Sequence, residues 1–188
     1  MTSTKKHKLM IVAGEVSGDM HGAALIDAIK ESMPTAYLYG MGMGEMQQRD
    51  FDCIVDAKAV SVMGFLEVLT HIAPIYKVWK TLKRTLLQSK PDVLILIDYP
   101  GMNLKLAKVA HQANIKVLYY IPPKVWAWKK KRLQQIKQYV DQVAVIFPFE
   151  VDFYQSHAIK AHYVGNPTAS AMPKLPSKAN CQKAIGIE

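Results

Sequence analysis

The chain has 188 residues, half of them hydrophobic and 21% charged, with a formal net charge of +9. That is enough chain for one domain with its own core. The basic excess fits an anionic partner: nucleic acid, a negatively charged membrane or a phosphorylated substrate. Cys53 and Cys181 stand far apart with no ligand spacing, which excludes a disulfide framework and a cysteine metal site and suits a reducing cytosol. No zinc-ligand spacing, RNP-type aromatic motif or helix-turn-helix signature is present, so no nucleic-acid partner is expected. No apolar run approaches the roughly 18 residues that span a bilayer, and the apolar run ahead of Glu15 is too short for a secretory signal.

In chain order the pattern is strand and helix in alternation. Strands are expected over 8–13, 37–41, 92–98, 116–121, 142–146 and 162–164. Helices are expected over 21–32, 63–88 with a bend at Pro74, 104–112, 129–139 and 149–157. Near-continuous apolar runs such as Val93-Leu94-Ile95-Leu96-Ile97 mark strands buried on both faces, hence a mostly parallel sheet. Right-handed crossovers make this a doubly wound, Rossmann-like α/β domain. Residues 1–172 form that domain, 173–180 read as a linker by their Pro, Lys and Ser content, and 181–188 as the first residues of a second domain.

The first strand runs directly into Gly14-Glu15-Val16-Ser17-Gly18-Asp19. Glycine lets backbone approach a ligand closely, and a helix N-terminus offers free N–H groups. The spacing of Gly14, Gly18 and Gly22 matches neither the dinucleotide fingerprint nor the P-loop. Glu15 and Asp19 would repel phosphate, so a sugar rich in hydroxyls suits this loop better than a nucleotide tail. A tight turn with Asp19 as a helix cap is the competing reading.

Asp98 ends the most hydrophobic strand, at the edge where open α/β sheets bind ligands. Partial exclusion from water would raise its pKa toward a value useful to a general base; an Asx turn or helix cap is the alternative. Trp126 and Trp128, after Pro122-Pro123-Lys124, supply either a sugar-stacking wall or core filling. The cations at 129–132 are either a solvated helix face or an anion-facing patch.

Six motifs now stand in order: Gly14 to Asp19, Met63 to Leu69, Lys90 to Val93, Ile97 to Asn103, Val125 to Trp128 and Phe147 to Glu150. Together they resemble the lipid-A-disaccharide synthase family, over nearly the whole chain but only the N-terminal half of that family's length. The resemblance implies an inverting, metal-independent GT-B glycosyltransferase with no cofactor. Its substrates are UDP-2,3-diacylglucosamine and 2,3-diacylglucosamine-1-phosphate, and its products UDP and the lipid A disaccharide 1-phosphate. It further implies peripheral attachment to the cytoplasmic face of the inner membrane, with the UDP cradle in the C-terminal half. By motif match Asp98 becomes the base, with Glu15 as a second catalytic carboxylate. Ser17, Gly18, Asp19, Asn103, Trp126 and Trp128 become substrate-binding residues. Pro122-Pro123-Lys124 departs from the family's usual Ser-Pro-Ser, Gly101-Met102-Asn103 from its usual aromatic before the asparagine, and Gly165-Asn166-Pro167 from its usual Gly-His-Pro.

The segment 62–79 carries a broad apolar surface followed by Lys77, Lys80, Lys83 and Arg84. Packing on the sheet is one reading. Shallow insertion into an anionic bilayer is the other, favoured by the resemblance, with Val62, Met63, Phe65, Leu66, Leu69, Ile72 and Trp79 as membrane contacts. A homodimer is left open. Two other functions stay in view: a non-catalytic module that binds a lipid sugar or a membrane, and another GT-B enzyme of UDP-sugars.

Overall fold

The computed structural model describes residues 6–61, 72–125, 130–170 and 182. Val62, Met63, Phe65, Leu66, Leu69, Trp126, Trp128, Cys181 and the expected linker at 173–180 lie outside the described residues. Seven strands, β1 (Lys8–Ala13), β2 (Tyr37–Gly42), β3 (Asp52–Asp56), β4 (Val93–Ile97), β5 (Lys116–Tyr120), β6 (Gln142–Val145) and β7 (Ala161–Tyr163), form one sheet. Its order is β3-β2-β1-β4-β5-β6-β7 and every pairing is parallel. The helices between them are α1 (Val16–Ser32), α2 (Gly44–Gln47), α3 (Lys58–Ser61), α4 (Ile72–Ser89), α5 (Pro100–Gln112), α6 (Lys130–Tyr139), α7 (Pro148–Ser156) and α8 (Pro167–Ser170).

Helices cover both faces, which is why the central strands are apolar at every position. Leu9, Ile11, Ala13, Ile95 and Ile97 pack with Ala23 and Ile26 of α1. Met10, Val12, Leu94 and Leu96 point the other way, among Leu82 and Leu86 of α4 and Leu106 and Ala110 of α5. The strand order turns back between β1 and β4. That switch point opens a crevice at the carboxyl ends of those two strands.

Several local outcomes differ from the sequence expectation. The helix expected to start at 21 starts at Val16, because Gly18 and Gly22 are buried helix positions. A Cβ at Gly18 would sit 3.5 Å from the Ala13 Cβ and 3.7 Å from Ile97 Cγ2, so a small residue lets α1 lie close to the ends of β1 and β4. The helix expected from 104 starts at Pro100, whose fixed φ suits the first helical position. β3 was not expected. It is an edge strand with half-exposed side chains and an aspartate at each end, so it lacks a clear apolar run. The apolar stripe of α4 is core rather than outer surface at Val78, Leu82 and Leu86, all buried. Ile72 opens the described part of that helix, and Pro74 falls in its first described turn.

Two clamps fix the switch point. Asp98 and Tyr99 both adopt left-handed backbone, φ 46° and 42°, making a sharp elbow between β4 and α5. The Tyr99 ring then packs against the β1–α1 turn: a Cβ at Gly14 would meet three of its atoms at 2.4, 2.5 and 2.8 Å. The second clamp is Asp19. It is 3% exposed, and its carboxyl oxygens accept N–H bonds from Met43 (2.6 Å), Glu45 (2.8 Å) and Met46 (3.3 Å). It thus caps α2, across the structure, rather than its own helix. Met46 in turn fills the space left by Gly22 and Gly42.

Replacing Gly14 with Ala is expected to lower unfolding free energy by about 2 kcal/mol through overpacking against Tyr99. Most of that loss should vanish when Tyr99→Ala is added, a coupling read by urea denaturation of the four proteins in the cycle. Asp19→Ala should cost about 3 kcal/mol, since it strands three N–H donors. Asp19→Asn should cost less, as its amide oxygen still accepts.

Candidate functional site

The crevice between β1 and β4 is bordered by the Gly14–Glu15 turn, the start of α1, the Asp98–Tyr99 elbow and the loop leaving β5. Glu15 stands at the N-cap position of α1 with extended backbone, φ −132° and ψ 157°, and its side chain makes no capping bond. Its carboxyl is therefore free to face the crevice. Ser17 is exposed in the first turn beside it, and Gly18 is buried beneath.

The elbow that presents Asp98 is held from behind. Asn103, fully buried, donates its amide to the carbonyls of Ile97 (3.1 Å) and Asp98 (2.8 Å). The Tyr119 hydroxyl donates to the same Asp98 carbonyl at 2.7 Å. Asp98's own N–H reaches the Tyr120 carbonyl at 3.4 Å. Backbone in this region is strained for a residue with a side chain, and it persists because neighbouring bonds over-determine it. The result is a half-buried carboxyl aimed at the sheet edge from a rigid mount.

Glu15 and Asp98 feel each other. Burial raises the Glu15 pKa above the usual carboxylate range, and the charge on Asp98 raises it further. Burial also raises Asp98, opposed by the Tyr99 N–H and by the positive charges of His21 and Lys124. His21 is pushed down by burial, against the pull of Asp98. Tyr99 is raised by burial and by Glu15. Two acids with elevated proton affinity, one imidazole and one ammonium thus share a single electrostatic neighbourhood, a pattern typical of acid–base sites.

The structure separates the expected binding residues by role. Glu15, Ser17 and Asp98 are placed together at the crevice. Asp19 and Asn103 are both buried: the Asp19 carboxylate holds the α2 loop, and the Asn103 amide nitrogen holds the elbow. They act on the site through the backbone they fix. Trp79, expected at a membrane, is half-buried and packed against the core. It also lines a cavity of about 240 Å³ with Ile75, Tyr99, Gly101, Met102 and Lys105, immediately under the elbow.

His21 and Tyr99 are site residues that the motifs did not single out. Helical spacing was the available signal for His21, three residues after buried Gly18 and so on the sheet-facing side. For Tyr99 there was none, since its place depends on the left-handed turn.

The comparisons with known proteins show the family and the fold. The family model described as lipid-A-disaccharide synthetase matches residues 9–188. The lipid-A-disaccharide synthase of Geobacter metallireducens is 42% identical over 188 residues, all of this chain and 49% of that protein. The one from Acidobacterium capsulatum is 45% identical over 159 residues, 85% of this chain and 40% of that protein. The chain spans about half the length of the curated relatives it matches. Among solved structures, a putative UDP-N-acetylglucosamine 2-epimerase from Listeria monocytogenes superposes with a TM-score of 0.63 at 10% identity, covering 95% of this chain and 50% of that one. A second UDP-N-acetylglucosamine 2-epimerase gives 0.59 at 15% identity, covering 95% and 55%. These likenesses show a shared Rossmann-like fold. With a family match over nearly its whole length, the chain belongs to the lipid-A-disaccharide synthetase family.

Proposed function

We propose that this chain forms the acceptor-side half of an inverting hexosyltransferase of lipid A synthesis. It would join UDP-2,3-diacylglucosamine to 2,3-diacylglucosamine-1-phosphate and release UDP. One observation carries the reading. In a chain of this family, Glu15 and Asp98 follow Ala13 and Ile97, register partners on adjacent strands at the switch point of the sheet, with proton affinities raised by burial.

Inversion needs one base on the face of the sugar opposite the leaving group. Asp98 fills that role: it is rigidly mounted, half-buried, and higher in pKa than an exposed aspartate. Glu15 and Ser17, on the facing turn, orient the acceptor hydroxyls. As the new glycosidic bond forms, the hydroxyl proton passes to Asp98 and the C–O bond to the diphosphate breaks. The apolar cavity under Tyr99 suits an aliphatic chain carried by such a substrate, with Lys105 at its polar rim.

No helix among the described residues is long and apolar enough to cross a membrane. Contact with an anionic bilayer is proposed instead through the outer face of α4. Tyr76 is 63% exposed there and lines a shallow groove with Trp79, Lys80, Lys83, Arg84 and Leu87. Aromatic and aliphatic side chains interleaved with cations suit the headgroup region.

The transferase reading is tested in a chimera in which residues 9–188 replace the matching half of the Geobacter metallireducens relative. That chimera should release UDP when given both lipid sugars. Asp98→Asn should lower kcat by about 100-fold or more; a folded but inactive parent chimera would defeat the reading. The base must be ionised, so kcat/KM should fall as pH drops, with a midpoint above the usual aspartate range because burial lifts Asp98. For the membrane face, replacing Lys80, Lys83 and Arg84 with glutamine should reduce binding to anionic vesicles by about 100-fold, at roughly 1 kcal/mol per cation. The melting temperature should stay unchanged, and neutral vesicles should bind neither protein.

A further inference from the structure

Gly101 stands in the first turn of α5, and nothing local requires a glycine there. Its backbone is helical rather than left-handed, and a Cβ built on it would meet no atom within 4 Å. Gly14 and Gly22, by contrast, have protein side chains in the space a Cβ would take. Glycine also weakens a helix relative to alanine. What Gly101 does border is the cavity of about 240 Å³ under the elbow. Ile75 and Trp79 line that cavity from α4, Met102 and Lys105 from α5, and Tyr99 from the elbow. Since α4 leads down to the start of β4 and α5 begins where β4 ends, the cavity lies at the sheet edge that carries Asp98. Gly101 is exposed and Met102 is buried, which puts the glycine at the mouth and the methionine at the floor. Trp79 is also a wall of the cationic groove formed with Tyr76, Lys80 and Lys83, so one indole borders both spaces.

We infer that this cavity is a slot for a single unbranched alkyl chain of the lipid substrate, and that Gly101 is the specificity residue that keeps its mouth clear. The inference rests on the lipid-sugar reading of the site and adds the path of the chain: from the outer face of α4, past Trp79, to the elbow. The occupant follows from the walls. Ile75, Trp79, Tyr99 and Met102 offer apolar surface, and no carboxylate lines the cavity among the described residues. Methionine adapts its shape to a flexible chain. A cavity of about 150 Å³ takes the six carbons of benzene. On that scale about 240 Å³ takes about ten carbons, and any further carbons extend past Trp79.

The test uses the 188-residue protein and n-alkyl β-D-glucosides with chains of roughly six to twelve carbons, each below its micellar concentration. These probes are neutral, so the cations of the outer groove do not capture them by charge. Affinity should rise with each added methylene, by up to about fourfold where burial is complete, and level off near ten carbons. In methyl-labelled protein the NMR signals of Ile75 and Met102 should shift. Gly101→Leu should abolish the length dependence without lowering Tm, because its side chain enters open space. Ile75→Trp blocks the slot from the other helix and decides if Gly101→Leu fails to fold. If neither variant folds, the length dependence and methyl shifts of the unaltered protein decide. Affinity indifferent to chain length overturns the inference, as does the same dependence in a blocked variant or methyl shifts confined to residues outside the slot. In the active chimera, Gly101→Leu should raise KM for the lipid substrates about tenfold or more, with kcat less affected. The two readings fail separately: length-dependent binding beside an inactive chimera removes only the transferase, whereas an active chimera whose KM ignores Gly101→Leu removes only the slot.

Discussion

The left-handed elbow at Asp98 and Tyr99 is the constraint on which the rest of the site depends. Two consecutive residues with side chains at positive φ cost about 1–3 kcal/mol each in isolation. The fold offsets this with the Asn103 amide, the Tyr119 hydroxyl and a proline that starts α5 in helical geometry. The strained turn does what an unstrained one could not. It stops β4 abruptly, so that the carboxyl stands at the mouth of the crevice instead of continuing along the strand. It also swings the Tyr99 ring onto Gly14, which fixes the separation of the two acidic turns.

Burial and charge explain why those acids differ from surface carboxylates. Neither is deep enough to be neutralised outright, and both retain a path to solvent. Glu15 is raised partly by its neighbour's charge. Asp98 is raised by desolvation but tempered by a backbone N–H and two cationic side chains. Both shifts run the same way, toward higher proton affinity, though charge adds to burial at Glu15 and opposes it at Asp98.

How much of this was legible in the sequence follows from the range of the interactions involved. The central strands announced themselves because burial on both faces leaves no polar position, as at Val93–Ile97. The edge on which Glu15 and Asp98 both stand followed from the parallel sheet, whereas the switch point between β1 and β4 emerges only in the strand order of the structure. Asp19 was read as an acid near a ligand or a cap of its own helix. Its actual partners lie 24 to 27 residues away, on α2, where local pattern says nothing. Asn103 was read as a binding residue because it belongs to a motif; its role is to hold the elbow, and only the left-handed turn reveals that. The apolar stripe of α4 fitted both a bilayer and a core, and the sheet beneath it decides for the core at Val78, Leu82 and Leu86. The glycines at 14 and 22 signalled close approach correctly, but what approaches is a protein side chain, Tyr99 at one and Met46 at the other.

The seat of Met46 has a consequence for how this sequence can diverge. Its sulfur occupies a slot whose two walls are backbone without side chains, 2.5 Å from a Cβ at Gly22 and 2.7 Å from one at Gly42. Enlarging either wall alone collides with the thioether and pulls α2 away from Asp19. A smaller residue at 46 would release both walls at once. Positions 22, 42 and 46 are therefore bound to drift as a trio, although the first stands far from the other two in the chain.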